Sequence, residues 1–223
     1  MNKQIYYHFL SSEYAVEDLK DERIKVGLIS ELNDPFELLP YLRYNVFEER
    51  NPYHKVRATV SKKYGLLCFS KKWEEPLLWG HYANKHGGIA IGFEILTDEV
   101  LDVEYIDKRP KFKLTNSQEK NEKLFLDLAK TKYKKWSYEE ESRVLIKLEE
   151  CEFHEEHPFL SFPNRLAVKE IILGSKFDKN ELENIGSLAK NFNAEVILAR
   201  LNWGEYKIVK DGGKTSDFKK RYL

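Results

Sequence analysis

The segment Trp136-Ser-Tyr-Glu-Glu-Glu-Ser-Arg143 sets three carboxylates and a guanidinium behind two aromatic rings. On an extended chain, residues two apart share a face, so Glu139, Glu141 and Arg143 are expected to project together. Two carboxylates held side by side repel, which raises the pKa of one. That suits the pair to act as a base or to accept hydrogen bonds from sugar hydroxyls. Arg143 either neutralises one carboxylate or holds a phosphate in its planar fork. The alternative is a charge ladder on a solvated surface, where ion pairs contribute little.

A second cluster, Leu77-Leu-Trp-Gly-His-Tyr-Ala-Asn-Lys-His-Gly-Gly88, gathers Trp79, His81, Tyr82 and His86 into one helix-length stretch. Pro76 suits the first position of that helix, where a missing N–H costs nothing, and Gly87 is placed to end it in the left-handed conformation. Zinc helices carry ligands four apart. His81 and His86 are five apart, roughly 140° off-face, and neither Cys nor carboxylate completes a set, so no metal is expected. His86 falls in the last turn, where an imidazolium complements the helix dipole. Trp79, His81 and Tyr82 line a cleft or belong to a packed core with its polar atoms satisfied.

The third cluster is Leu32-Asn-Asp-Pro-Phe-Glu37. Asn33 and Asp34 can bond their own backbone while Pro35 excludes helix before it, which makes a turn. With Phe36 buried behind it, such a turn presents a carboxylate and free amides to a ligand, or it serves only as a turn. A strand carrying Tyr6, Tyr7 and His8 can lie beside it. There is no phosphate-loop pattern around Gly87-Gly88 or Gly212-Gly213 and no serine nucleophile elbow, and Cys68 reads as strand packing.

The elements that must position these clusters follow from periodicity and turn chemistry. Residues 5–10, 24–29, 65–70, 89–94, 101–106, 141–148, 169–173 and 195–201 read as strands, the last being the final clear one. In 141–148, Val144, Ile146 and Leu148 share one face while Glu141, Arg143 and Leu145 share the other. Helices are expected over 13–22, capped by Ser11-Ser12, over 116–134 with Leu124, Phe125 and Leu128 inward, and over 180–190. Residues 45–63 are charged and partly helical. A helical middle between sheet-rich halves points to an α+β fold: one domain, residues 1–223, with a mixed or antiparallel split sheet flanked by helices.

The chain has 223 residues, 42% of them hydrophobic and 33% charged, a composition that supports a globular core. Lys+Arg and Asp+Glu are 37 each, so no overall field draws it to nucleic acid or to an anionic membrane; a nucleic-acid partner is disfavoured. The basic residues 214–223 read as a solvated tail. The two cysteines form no CxxC, no apolar run approaches the roughly 20 residues that span a bilayer, and the N-terminal residues do not form a secretion signal. A cytoplasmic location with reduced thiols is expected. Oligomeric state is left open.

The order of the motifs (Tyr-His-Phe, Asn-Asp-Pro-Phe-Glu, Cys-Phe-Ser, Leu-Trp-Gly-His-Tyr-Ala-Asn-Lys-His-Gly-Gly, Trp-Ser-Tyr-Glu-Glu-Glu-Ser-Arg, Ile-Ile-Leu-Gly) resembles the bacterial family catalogued as domain of unknown function 2971, DUF2971, over residues 6–174. That family often carries an aromatic residue where this chain has Ser142. A second resemblance, in the order His8, Tyr82, Glu141, is to ADP-ribosyltransferase-like proteins. It implies NAD as co-substrate in a cleft between two small sheets, with Glu141 and Glu139 catalytic. His8 would hold the adenine-side ribose, Tyr82 would stack on nicotinamide, and Trp79, His81, Asn33, Asp34 and Arg143 would complete the pocket. The resemblance implies a toxin or phage-defence role. The rival expectation is a non-enzymatic ligand-binding or interaction module.

Overall fold

A computed structural model of the chain describes residues 2–42, 47–111 and 113–223. It begins with β1 (Lys3–Leu10), α1 (Ser12–Lys20), β2 (Arg23–Lys25) and β3 (Gly27–Leu28). Ser11 caps α1, its hydroxyl accepting the Tyr14 N–H at 3.4 Å. Then come α2 (Phe47–Ser61), β4 (Tyr64–Ser70), α3 (Pro76–Tyr82), β5 (Ile89–Leu96), β6 (Leu101–Asp102), β7 (Glu104–Ile106) and α4 (Gln118–Leu128). The chain continues through β8 (Thr131–Tyr133), β9 (Glu141–Lys147), β10 (Glu152–His154), β11 (His157–Ser161) and β12 (Ala167–Leu173). It ends with α5 (Leu182–Phe192), β13 (Glu195–Leu201), β14 (Ile208–Lys210) and α6 (Gly212–Tyr222).

The fold is α+β. Among the described residues the main sheet runs β14-β13-β12-β5-β1-β4-β9-β6, with β3 added on β4. It is mixed: β12 and β13 are parallel and the other pairings are antiparallel. Residues Lys3 to Leu10 of β1 pair continuously with Leu96 to Ile89 of β5, and β4 pairs with β9 from Tyr64↔Lys147 to Ser70↔Glu141. Between these halves β1 meets β4 at the single pair Tyr7↔Ser70, and beyond it the two strands part. The mixed sheet expected from the sequence is present, and it narrows to this one pair at its middle. Backbone groups at such a seam need other partners. One is supplied by a side chain: His8 Nδ1 lies 2.8 Å from the Cys68 carbonyl oxygen.

The core lies on both sides of this seam. Ile89, Ile91 and Phe93 of β5, Val144 and Ile146 of β9 and Ile171 of β12 share one buried cluster with Leu67 and Phe69 of β4. These residues stand at alternate positions on one face of each strand, while Ala90 of β5 and Ile172 of β12 are buried in a second cluster on the other face. Gly88 allows the chain to enter β5, since a Cβ there would stand 2.1 Å from the Leu10 carbonyl oxygen and 2.9 Å from the Ala83 backbone.

Several local expectations change. The helix after Pro76 ends at Tyr82. The left-handed residues are Asn84, Lys85 and His86, with φ of 44°, 53° and 73°, while Gly87 has φ −90°. The close approach at Gly88 is the physical reason glycine stands there. His86 therefore lies beyond the helix, and burial with nearby Lys176 lowers its pKa, the opposite of an imidazolium on a helix end. The expected helix over 116–134 stops at Leu128 and gives way to β8; Phe125 and Leu128 are buried but Leu124 is exposed. The strand over 24–29 is two pieces in different sheets, β2 on β11 and β3 on β4. The strand over 101–106 is likewise two, β6 on β9 and β7 on β8. Helix α2 accounts for much of 45–63, though Asn45 lies outside the described residues. The basic tail is helix α6, capped by Asp211 and anchored by buried Thr215 and Phe218. No helix among the described residues is long and apolar enough to cross a membrane.

Candidate functional site

Where β1 and β4 part, a cleft of about 330 Å³ opens. One wall is Tyr7, His8, Phe9 and Leu10 of β1; the other is Leu66, Cys68, Phe69 and Ser70 of β4. Asn33 and Tyr82 close it, and Lys132, Glu139 and Glu141 form its charged end with Glu37. Its volume is at the lower end of small-molecule sites, enough for a nucleoside-sized group but not a whole dinucleotide.

Glu141 opens β9, and strand alternation carries Arg143 to the same side. Glu139 arrives differently from expectation. It ends the tight turn Lys134–Glu139, and Glu140 in the left-handed region (φ 41°) swings the chain into β9. Glu139 and Glu141 still converge, because Lys132 of β8 reaches between them. Its Nζ lies 2.5 Å from Glu139 Oε2, 2.9 Å from Glu141 Oε2 and 3.3 Å from Glu37 Oε1. All five charged side chains of this cluster are buried.

Arg143 is wholly buried and every arm is used. Nε donates to Glu141 Oε1 at 2.7 Å, Nη1 to the Ala129 carbonyl at 3.0 Å, and Nη2 to Glu37 Oε2 at 2.5 Å and Glu141 Oε2 at 3.0 Å. It therefore neutralises Glu141 and has no fork left for a phosphate. Tyr82 donates its hydroxyl to Glu139 Oε1 at 2.7 Å. Tyr105 accepts the Glu141 backbone N–H at 2.7 Å.

The two carboxylates are driven apart electrostatically. Burial raises the Glu139 pKa, and Lys132 offsets that rise in part. Burial also acts on Glu141, but Arg143 and Lys132 overturn it and hold its carboxyl at about 2. Burial opposes the Lys132 charge, yet Glu141, Glu37 and Glu139 together raise its pKa, so it stays an ammonium. Burial, then Glu141, keeps the Cys68 thiol protonated. His8 is held neutral by burial. With Nδ1–H donating to Cys68 oxygen, Nε2 is its free acceptor nitrogen.

Of the residues singled out in the sequence, His8, Asn33, Tyr82, Glu139 and Glu141 line the cleft. Arg143 stands behind Glu141 as its counter-ion. Trp79 is a core residue, stacked edge-on against Phe9 with its indole N–H on the Trp73 carbonyl at 2.5 Å. His81 is exposed on the outer face of α3, its ring 6.2 Å from Tyr138. Asp34 is buried and accepts the Phe36 N–H at 2.9 Å, so its carboxylate builds the turn rather than meeting a ligand. Phe36 points out, 59% exposed, and Glu37 takes the inward position assigned to it.

Lys132 and Glu37 were not legible as site residues. Lys132 stands in a lysine-rich stretch with nothing local to separate it from Lys130 or Lys134, and Glu37 is marked only as the end of the Asn-Asp-Pro turn. No group of His, Cys, Asp and Glu suited to a metal ion occurs among the described residues. Comparisons with protein-family models, with curated proteins and with solved structures find no match for this chain.

Proposed function

We propose that the cleft cleaves the N-glycosidic bond of a nicotinamide ribosyl group, with NAD as substrate and ADP-ribosyl transfer to an acceptor as the reaction. The observation that carries this reading is the charge balance of the buried cluster: Glu37, Glu139 and Glu141 against Lys132 and Arg143, three carboxylates to two cations. An uncompensated negative charge in a water-poor cleft favours a cationic pyridinium in the ground state. It favours still more the positive charge that develops on the ribose as that bond breaks.

In this reading the C1′–N bond breaks with its electron pair leaving on nicotinamide, and ionised Glu141 stabilises the oxocarbenium ion. The acceptor's nucleophile then bonds C1′ and gives its proton to Glu139, the more basic of the two carboxylates. A carboxylate has about four acceptor positions. Glu139 uses two, on Lys132 and Tyr82, and keeps room for an acceptor proton. Glu141 uses three, on Arg143 twice and Lys132 once, and keeps one position for a ribose hydroxyl. His8 Nε2 accepts from a second hydroxyl, and the Tyr82 ring forms the wall on which nicotinamide rests. The reading extends the resemblance to ADP-ribosyltransferase-like proteins and takes with it the family assignment, the cytoplasmic setting and the toxin or phage-defence role.

One observation favours a second reading, a non-enzymatic ligand-binding module. The carboxylates already saturate one another's partners so well that the cluster explains itself as structure. Nicotinamide release from NAD separates the two, because a binding module leaves NAD intact.

A further inference from the structure

At the opposite end of the main sheet, β12, α5 and β13 form a parallel strand–helix–strand unit. Parallel strands leave an open crevice beyond their carboxyl ends, where the following loops diverge and ligands of α/β sheets bind. Here α6 packs back over that end: the Thr215 hydroxyl accepts the Leu198 N–H at 3.1 Å, and the Asp211 N–H reaches the Leu198 carbonyl at 2.7 Å. The crevice that remains is about 250 Å³ and shares no residue with the cleft at the seam.

Its lining is divided by chemistry. Leu173, Phe177, Leu182, Phe218 and Tyr222 make an apolar floor, while Lys179, Lys214 and Arg221 stand around it with Asp217 as the one carboxylate. Lys179 and Asp217 have no ion-pair partner among the described residues. Lys214 meets Asp211 at 3.3 Å, and Arg221 lies over the Tyr222 ring at 5.2 Å. Three cations, Lys214 and Arg221 on α6 and Lys179 in the turn before α5, set around one apolar pocket in a chain of zero formal net charge, are a local excess that packing does not require.

We propose that this crevice binds a small amphiphilic anion, its apolar body on the Leu182, Phe218 and Tyr222 floor and its phosphate or carboxylate head among Lys179, Lys214 and Arg221. The floor gives the apolar contact and the rim the charge; neither alone defines the ligand. Charge-assisted contacts from Lys and Arg are the stronger class of hydrogen bond, so the head contributes most of the selectivity. A phosphate head gains more from the planar Arg221 fork than a carboxylate of equal size carrying less charge.

The test titrates the full chain with phenyl phosphate and, separately, with benzoate, following backbone amide NMR shifts. The proposal predicts saturable shifts at Leu173, Leu182, Ala199 and Tyr222 for at least one probe. It also predicts affinity reduced about tenfold or more in the Lys179→Gln/Lys214→Gln/Arg221→Gln variant. These side chains are exposed, so the variant keeps its fold. Saturation by phenyl phosphate alone assigns a phosphate head, and saturation by benzoate alone a carboxylate. No saturable shift with either probe, or a triple variant that binds as tightly as the parent, overturns the proposal.

Discussion

The ammonium of Lys132 lies 2.5 Å from the Glu139 carboxylate, inside the protein, and the same nitrogen is 2.9 Å from Glu141. One cation therefore joins two carboxylates that reach the cleft from separate elements, the turn Lys134–Glu139 and strand β9. Removing the partner of a buried charge leaves it uncompensated, which is far more damaging than losing a surface pair. Lys132→Met is expected to lower stability by about 3–5 kcal/mol. Chemical denaturation at neutral pH measures this, and a loss near that of an exposed pair such as Lys134–Asp107 would show that water reaches the cluster.

The acid limb of stability should follow Glu141. Its folded pKa, about 2, lies below its ordinary value of 4.5, so its contribution is fully present above 4.5 and disappears as pH falls through 2. That contribution is about 3 kcal/mol. Glu141→Gln should lower stability at pH 7 and flatten the acid slope between pH 4.5 and 2. Melting curves across that range check it; an unchanged slope contradicts the assignment.

Asp18 predicts the opposite sign. It is buried in α1, and burial, opposed by Arg23, pushes its carboxyl from 3.8 up to about 7. The folded state holds the proton more tightly, so the stability that the neutral acid contributes is lost as pH rises from 3.8 through about 7. Asp18→Asn should stabilise the protein by about 2–4 kcal/mol above pH 7 and make no difference below pH 4. Equal melting temperatures for the two proteins at pH 8 would contradict this.

Gly88 and Gly80 differ in outcome because of the space around each. Alanine at Gly88 drives a methyl against the Leu10 and Ala83 backbone and should cost about 3 kcal/mol. Alanine at Gly80, in α3 with nothing within 4 Å of the added carbon, should stabilise by about 0.5–1 kcal/mol. Thermal denaturation of both variants reads the contrast directly.

Strand positions were legible where apolar residues run together or alternate, as in β5 and β9, but the place where the sheet narrows was not, because each side of it draws strands from before and after the helical middle. The convergence of Glu139 with Glu141 was legible too, though for the wrong local reason: a left-handed Glu140 and a shared lysine replace a continuous strand. Lys132 and Glu37 were not, because their partners lie far off in sequence and a buried lysine carries no local mark. Trp79 and His81 misled because a helix of seven residues can turn one aromatic into the core and its near neighbour to solvent. The C-terminal helix was hidden by its charge, since two inward residues, Thr215 and Phe218, suffice to dock it.

The most direct test of the central claim is nicotinamide release from NAD by the purified chain, with and without cell lysate as a source of acceptor. Glu139→Gln and Glu141→Gln are assayed beside it, each below its own melting temperature. The account predicts release by the parent chain and a loss of about a hundredfold or more in both folded variants. No release under either condition, together with no rise in melting temperature on adding NAD, would contradict it and leave the buried carboxylates as a structural cluster.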